Sequence, residues 1–296
     1  MQWRILRAKR WRATEPITLF KPREAVRNIA GGRGGGRGGA GAQYLPVGAQ
    51  IDYNLLSVPV GELRFDVLDS AGRVIRSISS AAGSAPQPVA EVAPPDDEDG
   101  GGGGRGGGAP ARLPKSAGMN RFTWDLRYPG SWQSAARPEG PNGPLAPPGN
   151  YTVRLVSGTT TQTQPLRLSA DPRATRDGIS LADQKAMFAH NIRVRDLVSE
   201  ANRTVARVRA TQARLRNATG AAADTLAKIN DIASKLITPS IRYSKPELQT
   251  HITYLASMTG QADQRVPKDA ADRLVVLKKQ LDDIHQLLSK LLGPAM

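Results

Sequence analysis

An all-β part followed by an all-α part, an antiparallel β-sandwich and then an antiparallel helical bundle, is what the residues predict. Three observations carry this. Apolar residues alternate with polar ones in short runs between Ile51 and Leu168, the period of two that marks strands with one buried face. From Ser180 onward the apolar spacing changes to three and four residues, the period of a helix. Asp171-Pro172 separates the two regimes. The 296 residues suffice for two domains of ordinary size.

The run Gly118 to Gly130, GMNRFTWDLRYPG, organises the β part. Phe122, Trp124 and Leu126 fall on one face of a strand, and Arg121, Thr123 and Asp125 on the other. Phe122 and Trp124 are the expected structural anchors. Truncating a buried Trp costs about 3–5 kcal/mol, out of the roughly 5–15 kcal/mol that holds a domain together. Asp125 is expected to make a turn or cross-strand hydrogen bond.

Residues 1–42 read as a basic, Gly-rich, flexible N-terminal segment. Trp3 and Trp11 among its arginines suit stacking on bases or headgroups, and a frayed terminus explains them as well. Ile17 to Phe20 reads as a short extended piece that docks on the rest. Gly31 to Gly41 (GGRGGGRGGAG) resembles an RNA-binding RGG run; with no aromatic residue interleaved, it reads as a linker.

Residues 43–173 are assigned to the sandwich. Ile51, Tyr53 and Leu55 alternate, as do Leu63, Phe65 and Val67. Asp69 to Gly72 is a turn signal, and Val74 to Ile78 returns as the partner strand. A disordered insertion is expected at about 80–115, carrying Asp96, Asp97, Glu98, Asp99 and a glycine run broken by Arg105. The acids lack the D-x-D-x-D spacing of a calcium loop, so a solvated acidic loop is expected. The Pro/Gly-rich loop from Tyr128 to Gly149 holds Trp132. Tyr128 and Trp132 are the candidate ligand-stacking pair, suited to a sugar ring; the alternative is a lid folded on the sandwich edge. Tyr151, Val153 and Leu155 then alternate, Ser157-Gly158 turns, and Thr159 to Leu168 returns.

Residues 178–293 are expected to hold about four helices. Ser180 with Asp183 reads as an N-cap with its acidic partner. Leu181, Phe188, Ile192, Ala201, Val205, Val208 and Leu215 give an apolar stripe on a helix reaching about Asn217. Ala221 to Leu236, Lys245 to Gly260 and Pro267 to Leu292 follow, divided by Pro239 and closed by Gly293-Pro294.

The formal net charge is +15 and the pI about 10.5, which favours anionic partners such as nucleic acid, acidic polysaccharide or an anionic membrane surface. No cysteine is present, which excludes disulfides and thiolate chemistry. No apolar run reaches the roughly 18 residues that span a bilayer, and no apolar h-region follows the basic start, so neither a transmembrane segment nor a signal peptide is expected here. His190, His251 and His285 fall in three separate helices without metal-ligand spacing and are expected to be satisfied or at the surface. Neither a nucleophile elbow nor a P-loop is present. No catalytic, cofactor-binding or metal residue is therefore assigned. The arginines at 193, 195, 203, 207, 209, 214 and 216 are a candidate basic stripe, read here as an ordinary solvated face.

Gly118 to Gly130, Gly143 to Leu155 (GPLAPPGNYTVRL) and Gln164 to Arg173 together resemble the C-terminal portion of large secreted bacterial propeller proteins. These carry sortilin-like or BNR-type (bacterial neuraminidase repeat) blades and are often labelled glycosyl hydrolases. That portion holds an Ig-like module similar to that of the flagellar hook-capping protein, followed by helices. Ser199 to Val205 fits the helical part. The resemblance implies an Ig-like sandwich, a secreted or periplasmic location, and a β-propeller domain or protein as partner; carbohydrate, from the Tyr128 and Trp132 pair, and a polyanion, from the net charge of +15, are further candidate partners. Catalytic residues of such proteins lie in the propeller, so none carries over. The missing h-region fits a fragment or a mis-called start. A non-catalytic accessory module is the expected function; the alternative is a polyanion or nucleic-acid binder using the N-terminal and helical arginines.

Overall fold

The computed structural model describes residues 15–28, 48–81 and 112–293. Trp3, Trp11, the glycine run at 31–41 and the acids at 96–99 lie outside the described residues.

The strands are β1 (Ile17–Leu19), β2 (Ala25–Val26), β3 (Ala49–Leu55), β4 (Leu63–Leu68), β5 (Val74–Ser79), β6 (Gly118–Trp124), β7 (Gly149–Ser157) and β8 (Thr160–Ser169). They form two sheets, ordered β1-β3-β6 and β2-β8-β7-β4-β5. Both hairpins read from turn chemistry are present, β4 with β5 and β7 with β8. Alternation sends Ile51, Tyr53, Leu63, Phe65, Val153 and Leu155 into one shared core. Trp124 is 1% exposed, sits edge-on to Tyr151 at 5.7 Å, and donates its indole N–H to the Arg127 carbonyl at 3.2 Å.

The two sheets meet along β1 and β8, where glutamine side chains take the place of a strand ladder. Gln162 Oε1 accepts from the Leu19 amide at 2.6 Å, and its Nε2 donates to the Ile17 carbonyl at 2.9 Å. Gln164 Nε2 donates to the Leu19 carbonyl at 3.1 Å. Closed at this seam, the sheets form a half-barrel.

Three sequence expectations are corrected here. Residues 15–28 are not part of a flexible tail: Ile17 and Leu19 are buried in β1, which docks on β3 as the extended reading of Ile17 to Phe20 expected, and β2 pairs with β8. The β2–β8 pair is parallel, so the strands are not all antiparallel. Residues 112–115, expected inside the insertion, belong to the folded part: Leu113 is buried and the Tyr53 hydroxyl donates to the Pro114 carbonyl. In each case a short apolar stretch without its own periodicity found a partner distant in sequence.

A buried acid is balanced inside the larger sheet. Asp66 on β4 stands opposite Arg154 on β7, whose Nη2 donates to Asp66 Oδ2 at 2.8 Å. Ser77 on the other neighbouring strand adds a hydroxyl at 2.7 Å.

The helices are α1 (Pro172–Arg176), α2 (Leu181–Leu215), α3 (Ala221–Leu236), α4 (Leu248–Thr259) and α5 (Lys268–Leu292). Asp171 caps α1 by accepting from the Arg173 amide at 2.8 Å. Ser180 and Asp183 form a reciprocal capping box on α2, and the bond from Ser180 holds the Asp183 carboxyl below its ordinary pKa. At 35 residues, α2 is about 52 Å long.

The helix order differs from a simple up-and-down set. Gln212, Asn202 and Asn191 on α2 bond to Asn230, Gln249 and Thr259 respectively. As the first number falls the second rises, so α3 and α4 follow one another along α2, both running against it. Glu200, Thr204 and Arg207 meet Lys278, His285 and Gly293, so α5 runs parallel to α2. The expected fully antiparallel arrangement is thereby corrected. The row that would be one long helix is broken at 237–247, where Pro239 and Pro246 remove amide donors. Thr238 Oγ1 accepts from the Glu247 amide at 2.8 Å and bridges the break.

The second core joins Val194, Leu197, Ala201, Val205 and Val208 to the apolar faces of α3, α4 and α5. Of the predicted α2 stripe, Ala201, Val205 and Val208 are in it. Leu181 is 48% exposed, and Phe188 faces the β part instead.

Candidate functional site

The loop after β6 is itself a narrow hairpin. Tyr128 N–H donates to the Pro144 carbonyl and Gly130 N–H to the Gly140 carbonyl, both at 2.9 Å. Its legs approach so closely that glycine is required. A Cβ on Gly143 would lie 2.1 Å from the Tyr128 oxygen, and one on Gly130 2.3 Å from the Pro141 oxygen. Leu126 turns the chain into this hairpin with φ of 61° while staying fully buried, and Asp125 Oδ1 steadies the turn by accepting from the Arg127 amide at 3.1 Å. Asp125 thus makes the turn bond expected of it.

The hairpin lies along α2. Tyr128 packs on Phe188 with ring centroids 4.7 Å apart. Trp132 N–H donates to Ser199 Oγ at 3.0 Å, and its carbonyl accepts from Asn202 Nδ2 at 2.7 Å. Arg203 stacks over the indole at 5.5 Å. Trp132 is therefore no lid on the sheet edge; it is a clasp on the long helix. Its α2 partner Arg203 lies fifteen residues beyond Phe188, about 22 Å along the axis, so Tyr128 and Trp132 are not brought into one shared platform.

A cleft of about 450 Å³ runs between this hairpin, α2 and the end of α4, with Arg27, Arg127 and Arg195 in its wall. These guanidinium groups are engaged by the chain itself. Arg27 pairs with Asp263 and donates to the Ala146 carbonyl at 2.9 Å. Arg127 donates to the Gly143 carbonyl at 2.9 Å, and Arg195 to Asp196 Oδ1 at 2.6 Å. The cleft is a seam tying the sheets to the helices.

The remaining α2 arginines do not make one stripe. Arg203 and Arg214 share one side, while Arg209 and Arg216 share another about 120° away.

The three histidines do not meet one another. His251 is half-buried beside Tyr254, Met258 and Arg273. His190 departs from expectation: it is 0% exposed, and neither ring nitrogen has a hydrogen-bond partner among the described residues. Burial, aided by nearby Arg193, holds its pKa below the ordinary histidine value. Gln184, 1% exposed, is likewise without partners among the described residues. His285 lies between Thr204, at 2.7 Å from Nε2, and Glu200, at 3.3 Å from Nδ1, with Asp282 close by. Sequence reasoning missed this grouping. The only signal was spacing: Glu200 with Thr204, and Lys278 with Asp282 and His285, share helix faces.

No family, curated protein or solved structure matches this chain. No helix among the described residues is long and apolar enough to cross a membrane.

Proposed function

We propose that this chain is a non-catalytic accessory module: an Ig-like sandwich with a helical bundle that docks on, or extends, a propeller-bearing partner in a secreted or periplasmic setting. The observation that carries this is how the chain uses the runs that resemble those proteins. Phe122, Trp124, Leu126, Tyr151, Val153 and Leu155 all lie in the β core. Their intervening Pro/Gly segment forms the clasp on α2. Residues spent on a core and a clasp build a scaffold, and a scaffold presents surface to a partner.

The test is to mix the purified chain with a BNR-type propeller domain from the same genome and follow the mixture by size-exclusion chromatography, alongside an assay on aryl glycosides. A stoichiometric complex without glycoside turnover is expected. Turnover by the purified chain alone would overturn the reading.

A second reading is polyanion binding. It is favoured by Arg193, Arg209, Arg214 and Arg216, which are exposed on α2 and have no carboxylate partner among the described residues. Filter binding across a salt series decides it. Phosphate contacts give a steep salt slope, and absence of binding at low salt removes this reading.

A further inference from the structure

Glu200 and Thr204 lie one turn apart on α2, and Lys278, Asp282 and His285 one turn apart in succession on α5. Because the two helices run parallel, the two faces meet. Glu200, Asp282 and His285 each offer one ligand atom, and these atoms all lie within 4.8 Å of one another.

The protons in this group can be counted. The Thr204 hydroxyl donates to the Glu200 backbone carbonyl at 2.8 Å. Its oxygen is left to accept, so the partner 2.7 Å away, His285 Nε2, carries a hydrogen. In the neutral ring that leaves the Nδ1 lone pair facing Glu200 Oε1 at 3.3 Å. Two electron-rich atoms at that separation repel unless a proton on Nδ1 or a metal ion lies between them. The separation also equals the ligand-to-ligand edge of a tetrahedral zinc site, about 3.3–3.5 Å for bonds near 2.0–2.1 Å. Thr204 plays the part of an outer hydrogen-bond partner that fixes which ring nitrogen is free to ligate.

We infer that Glu200, Asp282 and His285 form a binding site for a divalent transition-metal ion of the zinc type, bridging α2 and α5. One imidazole and two carboxylates suit zinc, cobalt or nickel better than calcium or magnesium, which take oxygen ligands throughout. Lys278 already brings a positive charge to the same spot: its ammonium contacts Asp282 Oδ1 and lies 3.5 Å from Glu200 Oε1. Its side chain is 47% exposed, so the ammonium can swing into solvent as the metal takes over its carboxylates. Water completes the coordination. A bound ion staples the first long helix to the last one and stabilises the folded chain by mass action.

The test is zinc titration of the full, untagged chain by calorimetry, with cobalt absorption as a report on ligand geometry. One equivalent is expected to bind, with tetrahedral cobalt bands. His285→Gln is expected to weaken binding about 100-fold, and Thr204→Val about 10-fold through loss of ring orientation. His251→Gln is expected to leave it unchanged, and Lys278→Met to tighten it by removing the competing ammonium. Far-UV circular dichroism confirms that each variant is folded. Absence of saturable binding up to about 1 mM zinc, or equal binding by His285→Gln and the parent, overturns the site and leaves an ion-pair network. Neither result bears on propeller docking, which is read by complex formation.

Discussion

Asn202 on α2 donates its carboxamide N–H to the Trp132 carbonyl at 2.7 Å, and the same side chain accepts from Gln249 on α4 at 2.9 Å. One residue thus joins the β hairpin, the longest helix and the helix packed against it. Asn202→Ala removes both bonds and leaves the Trp132 carbonyl without this donor. The expected loss is about 1–3 kcal/mol of stability by urea unfolding. Hydrogen exchange should quicken across 128–146 while the β7–β8 amides keep their rates. Unchanged exchange in the hairpin would show that the clasp is not held there.

Gly143→Ala tests the close approach of the hairpin legs. The added methyl meets the Tyr128 oxygen at 2.1 Å, and backbone must move. An overpacking cost of about 1–3 kcal/mol is expected, with faster cleavage after exposed Glu139 by a glutamate-specific protease in the loosened loop. Gly158→Ala, where a Cβ has open space, is the contrasting variant; its φ of 56° alone is strained, and cleavage after Glu139 should stay at the parent rate.

Trp124→Ala should cost about 3–5 kcal/mol, because it opens a cavity beneath Tyr151 and removes the donor to the Arg127 carbonyl. Trp124→Phe keeps most of the volume and should cost less than half of that. Equal, small losses in both would mean the indole does not pin the β part.

His190 sets a pH dependence. Its folded pKa is depressed by burial, so folding disfavours its proton. The associated stability is fully present above the unfolded value of about 6.5 and is lost as pH falls from there towards the depressed folded pKa. His190→Leu removes the titration and two buried nitrogens without partners among the described residues. The variant is expected to gain about 1–3 kcal/mol at pH 7, and its advantage to widen at pH 5. A constant difference between the two pH values would exclude His190 as the source.

Much of the fold was legible. The turn residues Asp69 to Gly72 and Ser157-Gly158 located both hairpins, and α3 runs over the residues its periodicity marked, Ala221 to Leu236. Glycine, proline and apolar spacing act over a few residues, so a linear reading captures them. Of the N-terminal strands, Ile17 to Phe20 was legible as an extended piece, but its partner strand and the whole of β2 were not. β1 and β2 are too short to show a period, and their hydrogen-bond partners, Leu55 and Ser169, lie far along the chain.

The candidate site was less legible, for a related reason. Trp132 was recognised as an aromatic residue in search of a surface, and the surface proved to be Ser199 to Arg203 on α2. Glu200 and His285 lie 85 positions apart, and nothing in either helix states that these faces meet.

Taken alone, the amino-acid order determined the two hairpins, the extent of α3, the capping box that starts α2 and that Trp124 is buried in the β part, because turn chemistry, capping and burial period are local. Only the tertiary structure decided that β1 closes the half-barrel through two glutamines, that α3 and α4 follow one another along α2, and that His285 faces Glu200. Those outcomes depend on which buried faces meet, and an apolar stripe says that it must be covered without saying by what.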